Sequence, residues 1–202
     1  MAYTYHFARP SVTTTIVFIN PNTNKIMVGI RTRDNEVYPS MPCNMGGFLD
    51  PRINHKDFAE NYGKDGENPV VRAGETAEEC GIREAMEEFN IALEEQELIL
   101  FHVGSSDKHD PRAHVVNICY YVTLSDRRWD EAVAGDDIEG LTEYDIKEFL
   151  ERPVRMAFNH TDLVLKGLAA WQKEQHYQQL LLLEQRVSDL NWSLNADRQG
   201  GA

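Results

Sequence analysis

Six glutamates fall between Glu75 and Glu88, and Arg83 is the only basic residue among them. Glu84, Glu87 and Glu88 are three and four residues apart, so a helix would place them on one face. Like charges at this spacing repel one another unless a cation neutralises them. Carboxylates grouped in this way suit hard divalent cations, which take oxygen ligands in near-octahedral sites. The spacing therefore indicates a Mg²⁺ or Mn²⁺ site, and a solvated acidic helix face is the alternative interpretation.

The same segment has the pattern of a capped, amphipathic helix. Thr76 followed three residues later by Glu79 fits a capping box and predicts that the helix begins there. Arg83 lies one turn from both Glu79 and Glu87, so we expect it to pair with one of them and to orient a ligand carboxylate. Three apolar residues recur at the spacing of a core-facing stripe: Ile82, Met86 and Phe89.

The elements that must position this helix are short strands. Residues 13–19 are β-branched and apolar, 21–24 supply turn chemistry, and 25–30 form the returning strand. Further extended segments are predicted at 41–48, 97–103 and 114–124, and a final helix begins near His160. Strands, one helix, more strands and a last helix predict a mixed α/β (α+β) domain.

A long polar stretch separates the third strand from the helix. Residues 50–73 are irregular in pattern, and loops of this length are usually functional or poorly ordered. A glycine pair, Gly46 and Gly47, ends the preceding extended segment, and Gly74 precedes the first glutamate of the helix.

Composition excludes several classes of protein. The 202 residues carry 33 Asp and Glu against 20 Lys and Arg, a formal charge of −13, which argues against nonspecific nucleic-acid binding. No stretch approaches the roughly 20 apolar residues of a membrane span. The first 15 residues lack a secretory pattern, and the three cysteines form no metal or disulfide spacing, so we expect a cytoplasmic protein.

From Asp162 to about Asn195 the sequence has no proline, and Gly167 is the only glycine, so nothing there would break a helix. Five apolar residues alternate spacings of three and four, which is a short heptad seam: Leu180, Leu183, Val187, Leu190 and Leu194. Two interpretations stay open, a helix that folds back on its own domain and a contact in a homodimer.

The segment GE-x7-REAMEEFNI resembles the Nudix box, a Gly, five residues, a Glu, seven residues and then R-E-U-x-E-E-x-G-U, where U is apolar. Asn90 replaces the usual glycine, and Asn also tolerates the left-handed conformation that ends a helix. Residues 51–73 form an insertion between the glycine pair and the box, which we expect to loop out. The positions in register are Glu75, Arg83, Glu84, Ala85, Glu87, Glu88 and Ile91.

Two further stretches resemble the ADP-ribose pyrophosphatase-like branch of this superfamily. They are SSDKHDPRAHVVNICYYVTL at 105–124, with its D-P-R element, and the acidic AGDDIEG with the segments that follow it, at 134–165. The resemblance covers about residues 11–171. It implies a Nudix-type mixed β-sheet between helices over residues 1–172, with a helical extension and tail at 173–202.

The resemblance also implies a chemistry, attack of water on a phosphorus of a nucleoside diphosphate linked to another moiety. Glu84, Glu87 and Glu88 would hold Mg²⁺ or Mn²⁺, with Glu75 and Arg83 as supports. A backbone carbonyl of Gly46 or Gly47 would supply another oxygen ligand, with Gly47 also near the substrate.

Several other residues have roles that the sequence leaves open. The general base is either Glu88 or a residue of the acidic loop. Asp110 and Arg112 would contact substrate phosphate or ribose, although a D-P-R turn is equally a structural element. His160 is better explained as a cap or core histidine than as a site residue. The loop candidates for the base are Asp136, Asp137 and Glu139.

The expected function is hydrolysis of ADP-ribose or a related NAD-derived nucleotide. One alternative is a noncatalytic nucleotide sensor of the same fold, and another is hydrolysis of dinucleoside polyphosphates, NADH or capped RNA ends. The acidic composition weighs against long RNA. A DNA-binding regulator would need a basic recognition helix, which the C-terminal segment lacks.

Overall fold

The computed structural model describes residues 10–50 and 74–199, with the side chains of the last helix described as far as Val187. The predicted insertion at 51–73 therefore lies outside the described residues. Two compact units make up the chain, the first ending at Gly167 and the second beginning at Leu168.

The described residues of the first unit form six strands and most of the described helices. The strands are β1 (Ser11–Asn20), β2 (Lys25–Arg31), β3 (Pro42–Cys43), β4 (Ile99–Ser106), β5 (Val115–Thr123) and β6 (Ile138–Asp145). The helices are α1 (Ala77–Phe89), α2 (Asp126–Asp130), α3 (Ile146–Glu151) and α4 (His160–Gln199), which continues through the second unit; a 3₁₀ turn spans Glu95–Glu97.

The strands form one mixed sheet in the order β3-β2-β1-β5-β4, and β6 also pairs with β2. β1 and β5 run parallel, whereas every other pairing between these strands is antiparallel. The side chains of β1 are buried from Thr14 to Asn20, as expected of a central strand covered on both faces. The predicted mixed class is therefore confirmed.

α1 packs on this sheet through its buried face. Phe89 is fully buried, and its ring centroid lies 5.5 Å from that of Phe18 in β1. The predicted stripe is partly wrong, because Met86 is 44% exposed and Ile82 is only partly buried. The face that enters the core is rotated from the predicted one and also uses smaller residues: Cys80, Gly81 and Ala85.

Three elements between β5 and α4 were not predicted, namely α2, β6 and α3. β6 pairs with β2 along its whole length, from Lys25↔Asp145 to Arg31↔Ile138. Polar residues occupy half of its sequence, so the pairing depends on a distant strand rather than on a local apolar pattern.

The described part of the second unit has many uncovered apolar side chains. Leu180, Leu183 and Val187 of the heptad seam are 45%, 55% and 57% exposed. The side chains of Leu190 and Leu194 lie outside the described residues. Among the described helices, none has the length and apolar character required to cross a membrane.

Candidate active site

The start of α1 is fixed by short-range hydrogen bonds. The Thr76 hydroxyl accepts from the Glu79 amide at 3.1 Å, and the Glu79 carboxylate accepts from the Thr76 amide at 2.8 Å, which confirms the capping box. At the other end Asn90 has a φ of 53° and ends the helix in the left-handed conformation.

The residues on either side of the insertion are adjacent. The Asp50 amide donates to Glu75 Oε1 at 2.5 Å, and the Glu75 amide donates to the Asp50 carbonyl at 3.2 Å. The segment that contains Gly46 and Gly47 therefore ends in contact with the start of α1. An insertion at 51–73 that loops out requires this contact.

Arg83 is the centre of the acidic face of α1. Its guanidinium donates to both oxygens of Glu75, at 2.7 and 3.0 Å, and to Glu84 and Glu87, each at 2.8 Å. The predicted pairing with Glu87 is confirmed. The Arg83 guanidinium lowers the pKa of Glu75, against the opposing effect of burial, so Glu75 is a charged anchor for Arg83.

Glu84 and Glu88 are the buried members of the acidic face, at 8% and 6% exposure. Burial raises the pKa of Glu84, and it raises the pKa of Glu88 well above the ordinary value. The Gly46 amide donates to Glu88 Oε2 at 3.0 Å. A Cβ on Gly47 would lie 2.0 Å from Glu84 Oε1, so only glycine lets the loop approach this carboxylate so closely.

A cavity of about 480 Å³ opens beside these carboxylates. It brings together most of the predicted site residues: Gly46, Gly47, Arg83, Glu84, Glu87, Glu88, Asp110, Arg112, Asp136 and Asp137. Neither Glu75 nor Glu139 lines the cavity. Glu75 is bound to Arg83, and the Glu139 carboxylate lies 3.9 Å from the Arg33 side chain.

The acidic loop is attached to the end of α1. The Gly135 amide donates to the Glu88 carbonyl at 2.8 Å, and a Cβ on Gly135 would lie 2.4 Å from the Glu87 carbonyl oxygen. Asp136 follows with a φ of 46°, a left-handed conformation that is uncommon outside glycine. The loop therefore places Asp136 and Asp137 at the same cavity as the carboxylates of α1.

A second part of the cavity wall is cationic and aromatic. Both oxygens of the buried Asp110 accept from the Arg112 side chain, at 3.0 and 2.7 Å. The Arg112 guanidinium carbon lies 5.1 Å from the Phe48 ring and 5.6 Å from the Phe158 ring. Although burial opposes the shift, Arg112 lowers the pKa of Asp110, so the pair stays ionised.

Sequence reasoning missed Arg31, Phe48 and Phe158, which all line the cavity. The Arg31 guanidinium carbon lies 5.4 Å from the Phe158 ring, so these two residues are distant in the sequence but close in the fold. One signal was available, an arginine at the end of an otherwise apolar strand. Nothing local distinguishes the two phenylalanines from core residues.

His160 is a core histidine, as expected. Its Nδ1 accepts from the Asn44 amide at 2.9 Å, and burial lowers its pKa to about 3. The ring is therefore neutral at physiological pH.

The carboxylates are not arranged around a common point. Within the described part of the chain, no group of three or more His, Cys, Asp or Glu side chains is placed to hold a metal ion. Arg83 instead occupies oxygens of Glu84 and Glu87. Of the two candidate backbone ligands, the Gly47 carbonyl already accepts from the Thr14 amide at 2.9 Å.

No protein-family profile matches the sequence, and no curated protein matches it either. The fold, by contrast, is similar to that of many solved structures. A MutT/nudix family protein from Enterococcus faecalis is 18% identical with a TM-score of 0.58, over 83% of this chain and 64% of that one. The NUDIX domain of Shewanella oneidensis NrtR, solved with ADP ribose, is 14% identical with a TM-score of 0.60, over 82% and 90%.

A third similar structure is a bifunctional NMN adenylyltransferase/ADP ribose pyrophosphatase from Francisella tularensis, solved with AMP and a Mn ion. It is 20% identical with a TM-score of 0.53, and the match covers 82% of this chain but only 43% of that protein. The chain thus spans less than two thirds of the Enterococcus and Francisella proteins. These similarities show that the chain has the Nudix fold.

Proposed function

We propose that this chain is a Nudix hydrolase that cleaves the pyrophosphate of ADP-ribose or a related NAD-derived nucleotide, giving AMP and a phosphorylated moiety. One observation carries the proposal. The cavity is lined by Glu84, Glu87 and Glu88, by two loop aspartates, and by the Arg112 guanidinium, which lies near two aromatic rings. The ADP-ribose complex of the Shewanella NUDIX domain supports the choice of ligand.

The acidic wall fits a divalent cation by its chemistry. Glu84 and Glu88 are buried acids with raised pKa values, and a bound cation would stabilise their charged forms. Glu84, Glu87 and Glu88 would hold Mg²⁺ or Mn²⁺ once Arg83 releases its bonds to Glu84 and Glu87. When bound, the ion neutralises diphosphate charge and makes a water molecule more acidic. The Mn ion in the Francisella structure supports this assignment.

The reaction needs a proton acceptor near the attacking water. In the proposed step a water proton passes to a carboxylate, the water oxygen bonds to one phosphorus, and the bridging oxygen leaves with the bonding electron pair on the second phosphate. Three candidates line the cavity, Glu88, Asp136 and Asp137, whereas Glu139 is turned toward Arg33.

The cationic and aromatic wall suits the rest of the ligand. Arg112 is held rigidly by Asp110, and its side chain is still 44% exposed. An arginine in this setting can donate to phosphate or ribose oxygens, while the Phe48 and Phe158 rings offer stacking surface.

A second candidate function is a nucleotide sensor without hydrolysis. Shewanella oneidensis NrtR has also been solved with a 27mer DNA, at 16% identity and a TM-score of 0.57 to this chain. The complete set of Glu84, Glu87 and Glu88 in the cavity favours catalysis over this alternative.

Chromatographic product analysis tests the proposal. The protein is incubated with Mg²⁺ and, in separate reactions, ADP-ribose, NADH, a dinucleoside polyphosphate and a capped RNA end. We expect ADP-ribose to give AMP and ribose 5-phosphate at the highest rate. If no compound is hydrolysed while calorimetry shows that one binds tightly, the sensor function is correct and the hydrolase proposal is wrong.

A further inference from the structure

The turn that follows β2 is hydrogen-bonded to the acidic loop, which is also bonded to the end of α1. The Thr32 amide donates to the Asp137 carbonyl at 2.9 Å, and Asn35 Nδ2 donates to the same oxygen at 3.2 Å. Asn35 Nδ2 also donates to the Thr32 hydroxyl at 2.9 Å, which fixes the amide in this orientation. One carbonyl of the loop therefore receives two bonds from a single turn.

Arg31 completes the attachment. It is a buried side chain at the end of β2, and it donates to Asn35 Oδ1 and to the Val37 carbonyl. Its Nη2 also lies 3.7 Å from the Asp137 carboxylate. Asn35 is thus held by Arg31 through its oxygen while it holds Asp137 through its nitrogen.

The pairing of β2 with β6 changes register at this point, between Ile30 and Arg31. Such irregularities commonly re-aim side chains next to active sites. On the α1 side, Gly135 is bonded to Glu88, so the loop is secured at both ends. Between these attachments lie Asp136 and Asp137, whose side chains line the cavity.

We propose that Asn35 is a positioning residue, which acts with Thr32 and Arg31 to hold the Asp137 backbone so that the loop carboxylates face α1. Its kinetic consequence rests on the proposed hydrolase function. Misplacing a catalytic group by about 1 Å can cost up to roughly 100-fold in rate, so loosening the loop should reduce kcat more than KM.

Two variants of Asn35 separate positioning from general destabilisation. Asn35→Ala removes both ends of the amide, whereas Asn35→Asp keeps the oxygen that accepts from Arg31 and removes the donor to Asp137. Asn22→Ala is the matched control, because Asn22 is also a turn asparagine beside β2, at the opposite end of the strand. Thermal melting is used to check that each variant folds.

Hydrogen–deuterium exchange of peptides covering 133–139 is measured together with ADP-ribose kinetics. We expect both Asn35 variants to exchange faster in this loop than wild type and Asn22→Ala. We also expect a fall of about 10-fold or more in kcat, with KM changed less than about threefold. Unchanged exchange, or faster exchange with unchanged kcat, would overturn the proposal. If wild type hydrolyses nothing, the hydrolase function fails and exchange alone decides whether Asn35 positions the loop.

Discussion

His160 is held in the core as a neutral imidazole, and this makes folding sensitive to pH. Its folded pKa is about 3, below the ordinary value of 6.5. As pH falls below about 6.5, the unfolded chain binds a proton that the folded chain does not, so the free energy of unfolding decreases. The slope from this one residue approaches about 1.4 kcal/mol per pH unit until the folded pKa is reached.

Replacing this histidine should remove that dependence. Between pH 7.5 and 5.5, wild type should lose roughly 1 kcal/mol more unfolding free energy than His160→Gln, measured by urea denaturation. The control is His176→Gln, because His176 is exposed in α4. Parallel pH profiles for wild type and His160→Gln would show that the buried ring is not the cause.

The junction between the glycine segment and α1 sets the position of the buried carboxylate Glu84. Gly47→Ala would place a methyl group against Glu84 Oε1, and the carboxylate is the flexible partner that must move. We expect the Mn²⁺ dissociation constant, measured by calorimetry, to rise about 10-fold with little change in Tm. Gly140→Ala is the matched control, because a Cβ at Gly140 meets no atom within 4 Å. Equal Mn²⁺ affinity in the two variants would contradict the role of Glu84 as a metal ligand.

The elements that were predictable from sequence are those with local signals. α1 was predicted from its capping box and its C-terminal Asn90, because each of these bonds joins residues a few positions apart. β6 was missed because its partner is β2, more than 100 residues earlier in the chain. The same distinction holds at the cavity, where the α1 carboxylates share a helix but Phe48 and Phe158 meet at Arg112 only through the tertiary fold.

The charge of −13 now has a partial structural explanation. Five net negative charges lie between Glu75 and Glu88, and several of those carboxylates border the cavity or bind Arg83. A small polyanion would reach this acidic wall only with a cation between them, whereas a long polyanion would require a basic surface.

The exposed apolar side chains of α4 predict a homodimer through the heptad seam. Leu183 belongs to the seam and is 55% exposed, while its neighbour Leu182 is outside the seam and 66% exposed. We expect light scattering to show a dimer for wild type and Leu182→Gln and a monomer for Leu183→Gln. A wild-type monomer, or equal effects of the two substitutions, would rule out the seam as the contact.

The most direct test of the proposed chemistry is the Mg²⁺-dependent turnover of ADP-ribose by wild type and Glu87→Gln. Glu87 is 48% exposed, so the substitution removes a carboxylate without disturbing the core. Glu95→Gln, at an exposed position in the 3₁₀ turn, is the control. We predict AMP and ribose 5-phosphate from wild type and Glu95→Gln only when Mg²⁺ is present, and a rate about 100-fold lower for Glu87→Gln. Normal turnover by Glu87→Gln, or product formation that persists in EDTA, would show that Glu87 and a divalent cation are not needed for hydrolysis.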